Sequence, residues 1–223
     1  MSWIVKNKSK NRKNKLLNEF ILISTPKCGG YTIEKLLTQN NFIISRPKGL
    51  DFVGHYSLLD TYARLHKTKY EHITNYLIPY RDSLPWRLSF YQYVKNQPFD
   101  SGMYFISNLF NSISFEEYIE LLVKKSYTNL STIENLAFLP RSAFLSNQIT
   151  NGVNIKNINI YVYDMTNGFK KLFNQFFEIP LEEEVKENKS KYVESHLLSK
   201  RLHDELNKYD NIDFINFEPY ISL

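Results

Sequence analysis

Cysteine, glycine and long apolar runs are all scarce in this chain. It has one Cys in 223 residues, which excludes an internal disulfide and a cysteine-based zinc site. Only 7 Gly are present, so a Gly-Gly pair carries information. No apolar run reaches the roughly 20 residues that a bilayer-crossing helix needs, and the N-terminus lacks the apolar core of a secretion signal. There is no Gly-, Ser- or Pro-rich linker and no internal repeat. From these absences we expect one soluble, cytoplasmic domain.

Hydrophobic residues make up 43% and charged residues 23%, enough apolar surface for a core and too little charge for wholesale disorder. The net charge is +5, from 28 Lys and Arg against 23 Asp and Glu. Lys6, Lys8, Lys10, Arg12, Lys13 and Lys15 follow one another with no acid between them; removing these six from the 28 leaves 22 against 23. The body is therefore near neutral. We expect a basic, flexible arm over residues 1–16, followed by a single α/β domain over 17–223. With no aromatic residue in the arm beyond Trp3, no specific nucleic-acid partner is expected.

Short β-branched or aromatic runs mark strands at Phe20–Ser24, Phe42–Ser45, Asn75–Tyr80 and Asn159–Tyr163. Helical patterns fall between and after them. They run from Thr32 (Ile33, Leu36 and Leu37 on one face), over 57–66, after Arg81-Asp82-Ser83 with Asp82 or Ser83 as cap and Pro85 in the first turn, over 114–124, over 166–177 and over 192–209. Ser114 with Glu117 three residues on is a capping box. The segment 51–56 reads as a strand end or loop, and 182–191 as an exposed charged stretch. Alternation of this kind predicts a three-layer domain with a central, mostly parallel sheet flanked by helices.

Two segments carry chemistry. Pro26-Lys27-Cys28-Gly29-Gly30-Tyr31-Thr32 joins the first strand to a helix. Glycines there let backbone approach an anion, the helix start offers N–H groups, Thr32 adds a hydroxyl and Lys27 a charge. An ordinary strand-to-helix turn has the same outline. It is not a Walker A loop, since the Lys precedes the glycines, and Gly-x-Gly-x-x-Gly is absent. Further on, Arg81-Asp82 ends a later strand, with Ser89 and Tyr91 on the helix that follows. Arg offers a fork that fits a phosphate; a salt-bridged Arg and a helix-surface Ser are the plain alternative.

Taken together, these segments resemble the sulfotransferases that use 3′-phosphoadenosine 5′-phosphosulfate (PAPS), with the Golgi-type carbohydrate enzymes closest. The first is similar to the family's 5′-phosphosulfate loop. The second is similar to its 3′-phosphate motif, Arg-Asp-Pro-x-x-Arg-x-x-Ser-x-Tyr. Gly54-His55, the stretch 161–177 and Asn188-Lys189-Ser190 extend the likeness. Tyr31 stands where the pattern has a small hydroxyl residue, Ser83 where it has Pro, and Trp86 where it has a second Arg, with Arg87 one place later.

The resemblance implies a P-loop-like fold and transfer of a sulfonyl group from PAPS to an acceptor hydroxyl, that of a carbohydrate, without a metal. It implies that Lys27, Cys28, Gly29, Gly30, Tyr31 and Thr32 hold the 5′-phosphate end. Arg81 and Ser89 would hold the 3′-phosphate, and Lys189 and Ser190 would close over the nucleotide. Lys27 would stabilise the leaving phosphate oxygen. His55 is the candidate base for the acceptor hydroxyl, with Asp51 as the fallback. A kinase-like phosphotransferase and a non-catalytic nucleotide-binding relative are the alternative readings. The Golgi relatives carry a membrane anchor, and its absence here points to a soluble bacterial or viral enzyme.

Overall fold

The computed structural model describes residues 2–8, 18–23, 27–45, 58–65, 68–97, 104–124, 158–183, 185, 198–210 and 220–222. They fall into two compact units. The first comprises Met1–Arg81, Ala143–Glu187 and Asp213–Leu223, and the second Asp82–Ser142 and Asn188–Ile212.

The first unit is built on a six-stranded sheet. Its strands are β1 (Ser2–Asn7), β2 (Glu19–Ile23), β3 (Phe42–Ser45), β4 (Asn75–Tyr80), β5 (Asn159–Asp164) and β6 (Tyr220–Ser222). They lie in the order β3-β1-β2-β4-β5-β6. Strand β1 pairs antiparallel with both β2 and β3. The pairs β2–β4, β4–β5 and β5–β6 are parallel. The α/β class is thus observed, but the sheet is mixed and not mostly parallel.

The correction comes from the N-terminus. Residues 2–7, expected as part of a flexible arm, are a strand inside the sheet. Trp3, Ile4 and Val5 are all buried, as suits a strand with neighbours on both sides. Lys6 faces Glu19 across the β1–β2 pair and forms an ion pair with it, while His72 reaches the same carboxylate at 3.0 Å. The basic run therefore begins within the fold; its residues 9–16 lie outside the described residues.

Helix α1 (Gly30–Gln39) buries Ile33, Leu36 and Leu37 and packs along β3, and α2 (Leu58–Leu65) precedes β4. After β5 the chain was expected to form one helix over 166–177. It instead makes a 3-10 turn over Met165–Asn167, an α-turn over Gly168–Lys171 and a π-turn over Leu172–Phe176. Gly168, at φ 80°, breaks the run at its start. The wider π-turn precedes Phe177, whose ring lies 5.6 Å from Phe20, 6.1 Å from Phe42 and 5.0 Å from Phe173. These aromatics fill the core against the sheet.

The second unit is helical where described: α3 (Ser83–Lys95), α4 (Tyr104–Ser112), α5 (Phe115–Val123) and α6 (Lys200–Tyr209). The capping box at Ser114 and Glu117 is formed in both directions. Ser199 caps α6. The expected helix over 192–209 is described only from Lys200 onward. Its core holds Phe90, Tyr91, Val94, Phe110, Tyr118, Ile119, Leu122, Leu202 and Leu206.

Candidate functional site

The strand-to-helix loop forms as the residue types require. The first helical hydrogen bond of α1 runs from the Ile33 amide to the Gly29 carbonyl, at 3.0 Å. The amides of Gly30, Tyr31 and Thr32 stand ahead of it, so the helix itself offers them no acceptor. Gly29 occupies the cap position and brings no side-chain cap, and no acid lies in the first turn. Helices α5 and α6, by contrast, are capped by their own serines. An uncapped helix start carries partial positive charge and outward N–H groups, the requirement for holding an anion.

The backbone of the loop is unusual at two places. Gly29 has φ 74°, in the left-handed region, and the following residue is helical; alternation of hand turns successive N–H groups to one side. A Cβ on Gly29 would sit 2.6 Å from Cζ of Phe169 and 3.4 Å from Cε of Met165, so only glycine allows the turn after β5 to close against the loop. Lys27 is also left-handed, at φ 57°. For a long L side chain this conformation is strained, and such strain gathers at functional sites.

Lys27 and Arg81 both belong to the first unit, and both follow the carboxyl ends of neighbouring parallel strands, β2 and β4. The two connections leave in opposite directions. From β2 the chain passes through α1 to β3 on the far side of β1, whereas from β4 it proceeds to β5 on the other side. Ligands in open α/β sheets bind at such a switch point, outside the carboxyl ends of the strands. Both side chains are half-buried. Burial, and then the charge of Arg81, hold the Lys27 ammonium below its ordinary proton affinity.

The remaining loop residues divide by exposure. Cys28 and Thr32 are buried, whereas Tyr31 is 67% exposed. Ser89 is buried on α3, in the second unit, and Arg81 is the last residue of the first. Tyr91 is a structural tie: its hydroxyl donates to the carbonyl of Ile113 at 2.7 Å and lies 3.2 Å from that of Phe110. His55, Asp51, Gly54, Asn188, Lys189 and Ser190 lie outside the described residues. His72 is exposed beside Glu19.

Sequence reasoning missed the part played by Arg87. Its side chain is fully buried, with Nε 2.8 Å and Nη2 2.5 Å from the two oxygens of Asp210 and Nη1 3.1 Å from the Tyr118 hydroxyl. Burial opposes the charge, but Tyr118 and the Asp210 carboxylate outweigh it and the guanidinium stays ionised. Its fork is committed within the protein. It is not a displaced second arginine of a phosphate motif. The signal in the sequence was slight, an arginine beside a tryptophan on a helix whose other residues are largely apolar.

No helix among the described residues is long and apolar enough to cross a membrane. Comparison with family models, with curated proteins and with solved structures finds no match to the chain.

Proposed function

We propose that the protein is a PAPS-dependent sulfotransferase of P-loop-like architecture, acting on an acceptor hydroxyl, that of a carbohydrate. The observation that carries the reading is the uncapped start of α1 behind Lys27, at the point where the connections from the neighbouring strands β2 and β4, the latter followed by Arg81, part in opposite directions. In this reading the amides of Gly30 to Thr32 and the Lys27 ammonium hold the 5′ end of the donor.

The acceptor oxygen attacks sulfur in line. A new S–O bond forms, and the bond from sulfur to the bridging oxygen breaks. The electron pair stays on the 5′-phosphate of adenosine 3′,5′-bisphosphate, where Lys27 stabilises the developing charge. The hydroxyl proton passes to a base, for which His55 is the candidate and Asp51 the fallback. Positioning and charge stabilisation supply the catalysis, and the chain's own cations suffice for the scheme.

The test is transfer of radiolabelled sulfate from the donor to a panel of glycans. Wild-type protein is expected to label at least one, with Lys27→Ala and His55→Ala each losing roughly 100-fold or more in rate. Magnesium-dependent turnover of ATP without sulfate transfer would instead establish the phosphotransferase. Near-normal transfer by His55→Ala would remove that residue as the base.

A further inference from the structure

Glycine is the freest point in a chain, since it takes left- and right-handed backbone almost equally well. Gly29 therefore cannot by itself hold φ at 74°, on which the direction of the amides after it depends. What stands against it is a ring. A Cβ on Gly29 would lie 2.6 Å from Cζ and 3.0 Å from Cε1 of Phe169, and 3.4 Å from Cε of Met165, so the bare Cα is seated on both side chains. Phe169 and Met165 are buried. The turn that carries them is pinned to the sheet. The hydroxyl of Tyr163, on β5, donates to the Gly168 carbonyl at 2.8 Å. The carboxylate of Asp164, at the end of β5, accepts from the Thr166 amide at 2.8 Å, and its carbonyl accepts from the Asn167 side chain at 3.2 Å. Tyr163 is itself level with Pro79 of β4.

We propose that Phe169 is the positioning residue of the anion-binding loop: its ring selects the left-handed conformation of Gly29 and so fixes the amides of Gly30, Tyr31 and Thr32 before a ligand arrives. The inference rests on the anion-binding part of the function proposed above and names the side chain that preorganises it. The missing side chain of Gly29 makes room for Phe169, so the glycine is required by packing within the protein. A loop whose amides are already aimed does not have to be ordered by its ligand. A ring mounted on the sheet supplies that order from a rigid element. Loosening the ring therefore weakens anion binding although Phe169 itself meets no part of the ligand.

The experiment is calorimetric titration of wild type, Phe169→Leu and Phe173→Leu with pyrophosphate and adenosine 3′,5′-bisphosphate. Phe173 is a second buried ring of the same segment, 5.0 Å from Phe177, and its truncation measures what loss of core packing does alone. Thermal unfolding confirms that each variant is folded, and Phe169→Met serves as a milder variant that keeps volume and loses the rigid ring. We expect Phe169→Leu to weaken both ligands by the same factor, roughly 10-fold, and Phe173→Leu to leave them nearly unchanged. Urea unfolding of Gly29→Ala, Phe169→Ala and the double variant tests the contact without a ligand. The double variant should lose less stability than the sum of the two single losses, because the added methyl enters the space the ring leaves. Strict additivity, unchanged affinity in Phe169→Leu, or equal losses of affinity in the two leucine variants overturns the inference while leaving the donor assignment intact. If wild type binds pyrophosphate but not the bisphosphate, the donor assignment fails and the comparison on pyrophosphate still judges Phe169. Binding of neither refutes both.

Discussion

Lys27 bears three separate burdens. Its backbone is left-handed, its side chain is half-buried, and Arg81 repels it. A left-handed conformation costs an L residue about 1–2 kcal/mol, of which the extra freedom of an unfolded glycine would return about 0.5–1. Lys27→Gly should therefore raise stability modestly while abolishing anion binding, the pattern expected where strain is kept for function. The pH dependence has a definite sign. The unfolded chain holds the Lys27 proton more tightly than the fold does. The charged lysine thus weakens the fold below the lowered value, and the cost fades as pH rises from there to the ordinary 10.5. Urea unfolding of wild type and Lys27→Gly across this range should show the stability gap narrowing as pH rises. A variant less stable than wild type at neutral pH, or a gap that widens with pH, would contradict the assignment of strain and repulsion.

Among the elements, α3 shows how a buried polar group fixes packing. Arg87 on α3 reaches Asp210, just past α6, and Tyr118 on α5, so one guanidinium ties three helices of the second unit. Removing one partner of a buried ion pair strands the other, at a cost of about 3–5 kcal/mol. Arg87→Met should lose stability on that scale, and Arg87→Met with Asp210→Leu should recover much of it, as read by denaturant unfolding. An equal loss in the double variant would mean that the pair is not what the arginine contributes. The elements legible in advance were those with a strong local pattern. The strands β2 to β5 are β-branched or aromatic runs, and α5 announces itself through Ser114 and Glu117. Strand β1 was hidden because its three core residues stand directly ahead of a lysine-rich run, where charge outweighed periodicity. Strand β6 has three residues, too few to show a period. The π-turn over Leu172–Phe176 follows from how Phe177 meets Phe20 and Phe42, contacts between residues far apart in the chain.

For the whole molecule, the candidate site depends on topology more than on any motif. The loop from Lys27 to Thr32 was visible in the sequence as glycines between a strand and a helix. That Arg81 follows the strand paired with the one ahead of this loop was not, because the neighbourhood of β2 and β4 is set by pairing in the sheet. Nor could Phe169 be seen as the side chain that demands Gly29. Strand β3 lies on the far side of β2 from β4 and β5, so the two connections part between β2 and β4, where open α/β sheets hold ligands in a crevice outside the strand ends. The account then reduces to one claim, that this crevice holds an adenylate with two anionic groups. Calorimetric titration of the intact chain with adenosine 3′,5′-bisphosphate, AMP and ATP tests it most directly. The account predicts that the bisphosphate binds about 10-fold or more tighter than either competitor; equal affinity for the three, or preference for ATP, would contradict it.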